Sequence, residues 1–451
     1  MHRKRLAVAL AAMLTLSTVA AACGDDDSGD EAESTTTTEK TTTTEAAAAA
    51  TAPEDNGGRK DGDGTLTFGA VLPQTGKLAQ LGPPMIEATQ MAIRDINAAD
   101  GILGKQVSVS VKDDGGDSNV DLAKTNVDQL INNDKVDAII GAAPSGTTKE
   151  IIDKITDSGT VECSPSNTGS DLTTWKDKGL YFRTPPPDNL QAQALAKAIS
   201  DDGKQSVAII AQNSDYGTGF VRFLEPALKD AGVDVAESIS YDSNATSFDT
   251  EVEQVAAAKP DGVALIGYPE DGGLVLKGMI QKDLGPDKVS IYVTDGMQSN
   301  ELYKAVDSTD PASTEGLRGT APSAAPTTGA EFFPDEFKTF APDVASPIFS
   351  AQAYDCVVVI ALAAEQAKSD APFEIAKVIN EISGGAEGAE KCSTFKDCKA
   401  LIADGTAINY EGASGALDFT EYGEPSAGEY EVYTFGADGT YETDDRVTVA
   451  S

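Results

Sequence analysis

Val136 to Thr168 reads VDAIIGAAPSGTTKEIIDKITDSGTVECSPSNT. Asp137-Ala138-Ile139-Ile140-Gly141 is a short apolar run, the pattern of a strand buried on both faces of a parallel sheet. It stops at Gly141, and Ala142-Ala143-Pro144-Ser145 follows as a tight turn. Ser145 is expected to N-cap the next helix, whose Ile151, Ile152 and Ile155 share one face. After Gly159 a second apolar piece, Thr160-Val161-Glu162-Cys163, ends in the polar turn Ser164-Pro165-Ser166-Asn167-Thr168. Two neighbouring strand ends thus present small hydroxyl residues and free backbone N–H groups. Ligands of open parallel sheets sit at the carboxyl ends of strands. A helix N-terminus at such a place attracts an anion, because its first N–H groups lack internal partners. Each turn taken alone would also serve as an ordinary cap or loop.

The same alternation extends in both directions. Upstream, Thr65 to Leu72 is a strand, Met85 to Asn97 carries Met85, Ala88, Ala92 and Ile96 at helical spacing, Val107 to Val111 is a strand and Val120 to Ile131 a helix. Downstream, Pro185-Pro186-Pro187 cannot continue a helix or a central strand and marks a crossover to a second lobe. There, helices at Leu190–Ile199, Gly219–Ala231, Phe248–Ala258 and Leu274–Leu284 alternate with strands at Val207–Ala211, Val235–Tyr241, Gly262–Gly267 and Val289–Val293. Leu317 to Pro322 is expected to cross back, Ile348 to Ala367 and Phe373 to Ile382 to be helices, and Ala416–Phe419 with Glu429–Phe435 to form terminal strands at a third crossing. The class is α/β, with helices on both faces of parallel sheets. No G-x-G-x-x-G follows the first strand, so a dinucleotide fold is not indicated.

Two hydroxyl turns in this order, on two doubly wound parallel-sheet lobes joined by three crossovers, resemble the type I periplasmic solute-binding proteins of the leucine/isoleucine/valine-binding family. The resemblance spans Leu66 to Thr448. It implies residues 65–185 and 320–414 in lobe 1, and 186–319 and 415–448 in lobe 2. It also implies that Ser145, Ser166 and Thr168 hold the α-carboxylate and α-ammonium of an amino acid. In the second lobe, strand ends at Tyr216, Tyr268 and Asp295 match the family's two tyrosines and its ammonium-pairing acid. This chain departs in two places: Asp295 stands where the branched-chain binders have a longer Glu, and Leu81 where they have an aromatic wall. The implied function is delivery of a branched-chain or related amino acid to the permease and ATPase subunits of an ABC uptake transporter, by a monomer with no cofactor. An amide or urea is the alternative ligand.

The N-terminus carries its own signals. His2-Arg3-Lys4-Arg5 is basic, Leu6 to Ala22 is apolar, and Ala20-Ala21-Ala22-Cys23 resembles a bacterial lipobox. Residues 1–22 are therefore expected to be a signal peptide and Cys23 a lipidated anchor on the outer face of the cell membrane. Residues 23–64, rich in Asp, Glu, Thr and Ala, cannot bury a core and are expected to form a disordered stalk. About 390 residues remain, enough for two lobes of roughly 200 each.

Composition removes several functions. A net charge of −39 argues against nucleic acid and anionic bilayer surfaces as partners. The sole histidine is His2, inside the signal. Ser-His-Asp catalysis and histidine zinc sites are therefore out of reach. No C-x-x-C pair is present, so no metal is expected. In an oxidising compartment Cys392 and Cys398 are expected to pair, whereas Cys163 and Cys356, in apolar runs, are expected to be small core residues. A carboxylate-dependent exported hydrolase stays formally open, but aromatics make up only 6% and Trp175 is the only tryptophan, so sugar-stacking platforms are scarce. A ligand-sensing role would need a signalling partner on another chain.

Overall fold

In a computed structural model that describes residues 60–327, 331–384 and 388–450, the chain alternates strand and helix. The first part runs β1 Phe68–Leu72, α1 Gly82–Ala98, β2 Val109–Asp113, α2 Val120–Gln129, β3 Ala138–Gly141, α3 Ser145–Asp157, β4 Val161–Ser164 and β5 Tyr181–Arg183. The second runs α4 Asp188–Asp201, β6 Ser206–Gln212, α5 Asp215–Asp230, β7 Asp234–Tyr241, α6 Asp249–Ala258, β8 Gly262–Ile266, α7 Pro269–Gln281, β9 Ser290–Val293, α8 Tyr303–Asp307 and β10 Arg318–Pro322. Then follow α9 Phe333–Phe340, α10 Ser350–Ala367, α11 Pro372–Gly384, β11 Glu390–Cys392, α12 Phe395–Ala403, β12 Ile408–Gly412, β13 Gly415–Ala416, β14 Ala427–Phe435 and β15 Tyr441–Ala450.

The strands make two main sheets. One is wholly parallel, in the order β2-β1-β3-β4-β5; the other has the order β15-β14-β10-β9-β8-β6-β7, with β14 and β15 antiparallel at one edge. In both, the strand order reverses beside the first strand of the half, and that reversal opens a crevice at the carboxyl ends. β3 and β4 lie next to each other, so their two turns are adjacent. Every residue of β1, β3 and β8 is buried, as sheets covered by helices on both faces require. α10 is buried on all sides, every residue from Ser350 to Ala364, which makes it a core helix. No helix among the described residues is long and apolar enough to cross a membrane.

Several expectations need correction. Cys163 and Cys356 are not free core thiols: they are joined in a disulfide that ties β4 to α10 across 193 residues of sequence. Cys392 and Cys398 are also bonded. Ser145 is not an N-cap. Pro144 takes the extended cap position, so Ser145 is the first helical residue. The second main strand sits two residues later than its apolar run suggests, since its pairing with β1 starts at Val109. β10 belongs to the second sheet, so the return to the first lobe comes after Pro322. Gly415–Ala416 pairs with β12 in a separate small sheet, so the last crossing lies between Ala416 and Ala427. The backbone N–H of Gly64, at the far end of the expected stalk, donates to Asp370 Oδ2 at 2.5 Å. The signal segment, Cys23 and the stalk up to residue 59 lie outside the described residues.

Candidate ligand-binding site

β3 ends at a glycine for a steric reason. Gly141 has φ of +121°, and a Cβ there would lie 2.0 Å from the Val71 carbonyl oxygen. The backbone therefore turns sharply and directs Ala143 and Ser145 to the sheet's edge. The neighbouring turn is stitched to it. Asn167 Nδ2 donates to the carbonyls of Ala142 and Ala143 at 3.1 and 2.8 Å, and Ser164 Oγ donates to Ala142 at 2.8 Å. Ser166 Oγ donates to the Ala143 carbonyl at 3.2 Å, and Ser145 Oγ accepts from the Gly169 N–H at 3.2 Å. Arg183, fully buried, donates from Nη1 to the Gly169 carbonyl at 2.8 Å and from Nε to Glu424 at 2.9 Å. Glu424 lies in the last crossing, so one guanidinium joins the turn to the hinge.

The second sheet supplies the facing wall. Tyr216 is in the first turn of α5, which Ser214 caps through the Gly217 N–H at 3.1 Å. Tyr268 immediately precedes α7. Their rings stack 5.4 Å apart and 7° from parallel. Asp295 follows β9 in a single 3-10 turn. Its Oδ1 accepts from the Tyr216 hydroxyl at 2.7 Å and from Gln191 Nε2 at 3.0 Å. Burial pushes the Asp295 carboxyl above its ordinary pKa, and the Tyr216 and Gln191 donors partly oppose that shift.

One cavity brings the seven sequence-derived positions together. Ser145, Ser166 and Thr168 line it from the first sheet, Tyr216, Tyr268 and Asp295 from the second, and Leu81 from the segment before α1. Sequence reasoning missed its apolar remainder, Leu78, Met85, Ala143 and Phe349, and also Gly296. Gly296 has no room for a side chain: a Cβ would lie 2.7 Å from the Gly267 carbonyl oxygen. Phe349 carries a left-handed backbone, φ +58°, at the mouth of α10. The cavity holds about 320 Å³ of space not filled by atoms, mouth included.

The two halves are closed over this cavity. Lys149 of α3 pairs with Asp215 of α5 at 2.7 Å, and Arg222 of α5 with Asp171 at 2.7 Å. Lys77 donates to Ser243 Oγ and Asn244 Oδ1 at 2.8 and 3.0 Å, and Ser299 Oγ to Gln80 Oε1 at 2.9 Å. The result is a chamber with hydroxyls and a helix N-terminus at one pole, a carboxyl at the other and aliphatic and aromatic carbon between. Such a chamber suits a small solute with an acid end, a donor end and an apolar body.

A sequence model of the family described as periplasmic binding protein matches residues 65–425. The chain is 26% identical to the leucine-, isoleucine-, valine-, threonine- and alanine-binding protein of Pseudomonas aeruginosa, over 83% of this chain and 91% of that one. It is also 26% identical to a chemotactic signal transduction system substrate-binding protein, BasB, of Halobacterium salinarum, over 80% and 85%. Among solved structures it is similar to the leucine binding protein LivK of Thermotoga maritima, with a TM-score of 0.71, 21% identity and coverage of 85% and 99%. The branched-chain amino acid transporter substrate-binding protein LivJ of Streptococcus pneumoniae, in complex with isoleucine, gives a TM-score of 0.70, 22% identity and coverage of 86% and 100%. Two α/β lobes, a cleft at their strand ends and a family match over most of the folded chain agree: the chain belongs to the type I periplasmic binding proteins of the Leu/Ile/Val-binding group, a family of extracytoplasmic solute binders.

Proposed function

We propose that this protein is a lipid-anchored solute receptor that binds a branched-chain or related aliphatic amino acid and delivers it, as a monomer, to an ABC uptake permease. The observation that carries this reading is the polarity of this cavity: Ser145 and Thr168 at one pole, Asp295 at the other, Leu78, Leu81, Met85 and Phe349 around the space between. A zwitterion with an apolar side chain meets all three. Charge-assisted hydrogen bonds at its ends each contribute about 1.5–3 kcal/mol. The carboxylate docks on the α3 N-terminus and the Thr168 turn, and closure brings Tyr216, Tyr268 and Asp295 onto the ammonium side. Contacts with both lobes favour the closed form because only that form makes all of them. The chemistry is recognition without turnover, and Cys23 supplies the tether.

Two alternatives rest on particular observations. Asp295 is short and already accepts two hydrogen bonds, which leaves room for a neutral amide or urea in place of an ammonium. The halobacterial relative is a chemotactic substrate-binding protein by name, which makes a membrane transducer the alternative partner. Isothermal titration against the twenty amino acids, urea and short amides tests the ligand class. Heat with aliphatic amino acids is expected, and silence across the amino acids with heat from an amide would replace the first reading with the second.

A further inference from the structure

Asp188 is a second acid close behind the cavity, and the binding geometry described above gives it no role. It is the first residue of α4, directly after the first crossover, and its side chain is wholly buried. Neither carboxylate oxygen has a hydrogen-bonding partner of full geometry. The Thr168 hydroxyl faces it, and its own backbone N–H donates to the Thr168 carbonyl at 2.8 Å. Gln191, three residues on and so on the same helix face, donates to Asp295 Oδ1 at 3.0 Å and to the Thr320 carbonyl at 2.9 Å. One turn of α4 therefore carries both Asp188, which lies behind Thr168, and Gln191, which bonds Asp295 in the cavity wall.

The charges around them compensate this pair only in part. Arg183 of β5 and Arg222 of α5 act on Asp188, but Arg183 is engaged by Glu424 and Arg222 by Asp171. Tyr216 of α5 and Tyr430 of β14 face both acids, and Tyr433 faces Asp295. These are neutral phenols whose own ionisation is suppressed. Two buried carboxyls that act on one another do not both ionise without a full counter-charge beside them.

We propose that Asp188 and Asp295 work as one acid pair that keeps a proton in the closed site, and that the ammonium group of a ligand replaces that proton on binding. The proton leaves the Asp188 carboxyl for solvent and the ammonium settles against Asp295, so the charge at this acid pole is unchanged while the ligand's carboxylate is carried by the opposite pole. Burial, with the Asp295 charge as the second cause, pushes Asp188 up to about 8, so the pair carries its proton at neutral pH. This inference rests on the amino-acid reading above. It also separates ligand classes, because a neutral amide brings no cation and expels no proton.

The test is titration of the full chain with L-leucine at pH 6, 7 and 8, in buffers of different ionisation enthalpy at each pH. Release of close to one proton per leucine is expected at pH 6 and 7. The affinity rises with pH and levels off above about 8, and Kd weakens by up to about tenfold for each unit below that. No histidine follows His2, and leucine's own groups keep their charge over this range, so the proton comes from a carboxyl. Asp188→Asn identifies which: it is expected to abolish proton release and flatten the pH profile. Asp188→Ser repeats the test should the asparagine variant fail to fold, and infrared difference spectra of the wild type follow the loss of a protonated carboxyl on leucine addition. Leucine binding with no proton released overturns the inference and leaves the functional reading standing. So does a variant that keeps the wild-type pH slope. Heat from an amide but from no amino acid overturns both.

Discussion

Asp295→Asn should move affinity and stability in opposite directions. The carboxyl is 3% exposed, and its Oδ1 accepts from the Tyr216 hydroxyl at 2.7 Å and Gln191 Nε2 at 3.0 Å. Asparagine keeps a carbonyl oxygen there, so both donors stay satisfied and only the charge is lost. A ligand ammonium buried against a neutral amide loses its counter-ion, which costs about 2–5 kcal/mol in comparable buried pairs. Taking about 3 kcal/mol, affinity for an aliphatic amino acid falls ~150-fold. The protein without ligand responds the other way. Burial raises the carboxyl's pKa in the folded state, so this acid's contribution to stability is present below its unfolded pKa and lost as pH rises through the folded one. At pH 7 the variant should therefore melt no lower than wild type. Calorimetric titration and thermal melts at that pH read both quantities. Affinity for an amino acid within threefold of wild type would refute the ammonium role, and a joint loss of affinity and stability would make Asp295 a structural residue.

Three further outcomes follow from particular contacts. Replacing Cys163 and Cys356 together should cost about 5 kcal/mol, and replacing Cys392 and Cys398 about 2 kcal/mol, because the bridged residues are 193 and 6 apart and the chain-entropy gain grows with loop length; urea unfolding measures both, and the reverse order would contradict the estimate. Removing Lys149 and Arg222 deletes the ion pairs across the cleft rim, whose side chains are 21–54% exposed. Such pairs contribute about 0.2–1 kcal/mol each, so ligand dissociation followed by stopped flow should speed up roughly 2- to 30-fold and lose salt dependence; an unchanged salt response would rule out the latch. Glu162 is wholly buried with neither oxygen hydrogen-bonded, and burial raises its pKa well above 4.5. Glu162→Gln should therefore stabilise the protein by an amount that grows as pH rises above 4.5, and unfolding curves showing no gain at pH 7 would contradict this.

Local sequence carried the parts of this fold that local physics decides. Apolar runs such as Ala138–Gly141 and Gly262–Ile266 became fully buried parallel strands, and the polar turns after two adjacent strands face the same cavity. Contacts between distant residues were not legible. Cys163 and Cys356 sit in apolar stretches whether free or bonded, and only the packing of α10 on β4 brings them together. Asp188 reads as an ordinary acid in a helix's first turn, and its burial beside Asp295 depends on how α4 meets the second sheet. Phe349 lines the cavity because its backbone adopts a left-handed conformation that Pro-Ile-Phe-Ser does not announce. The small sheet β11-β12-β13 and the edge strand β15 are largely polar, so no hydrophobic period marks them.

A crystal structure of the full chain with L-leucine tests the central claim most directly. The account predicts the carboxylate within hydrogen-bonding distance of Ser145 and Thr168, the nitrogen against Asp295, and the side chain among Leu78, Leu81, Met85 and Phe349. Leucine bound in the reverse orientation, or outside this cavity, would contradict it.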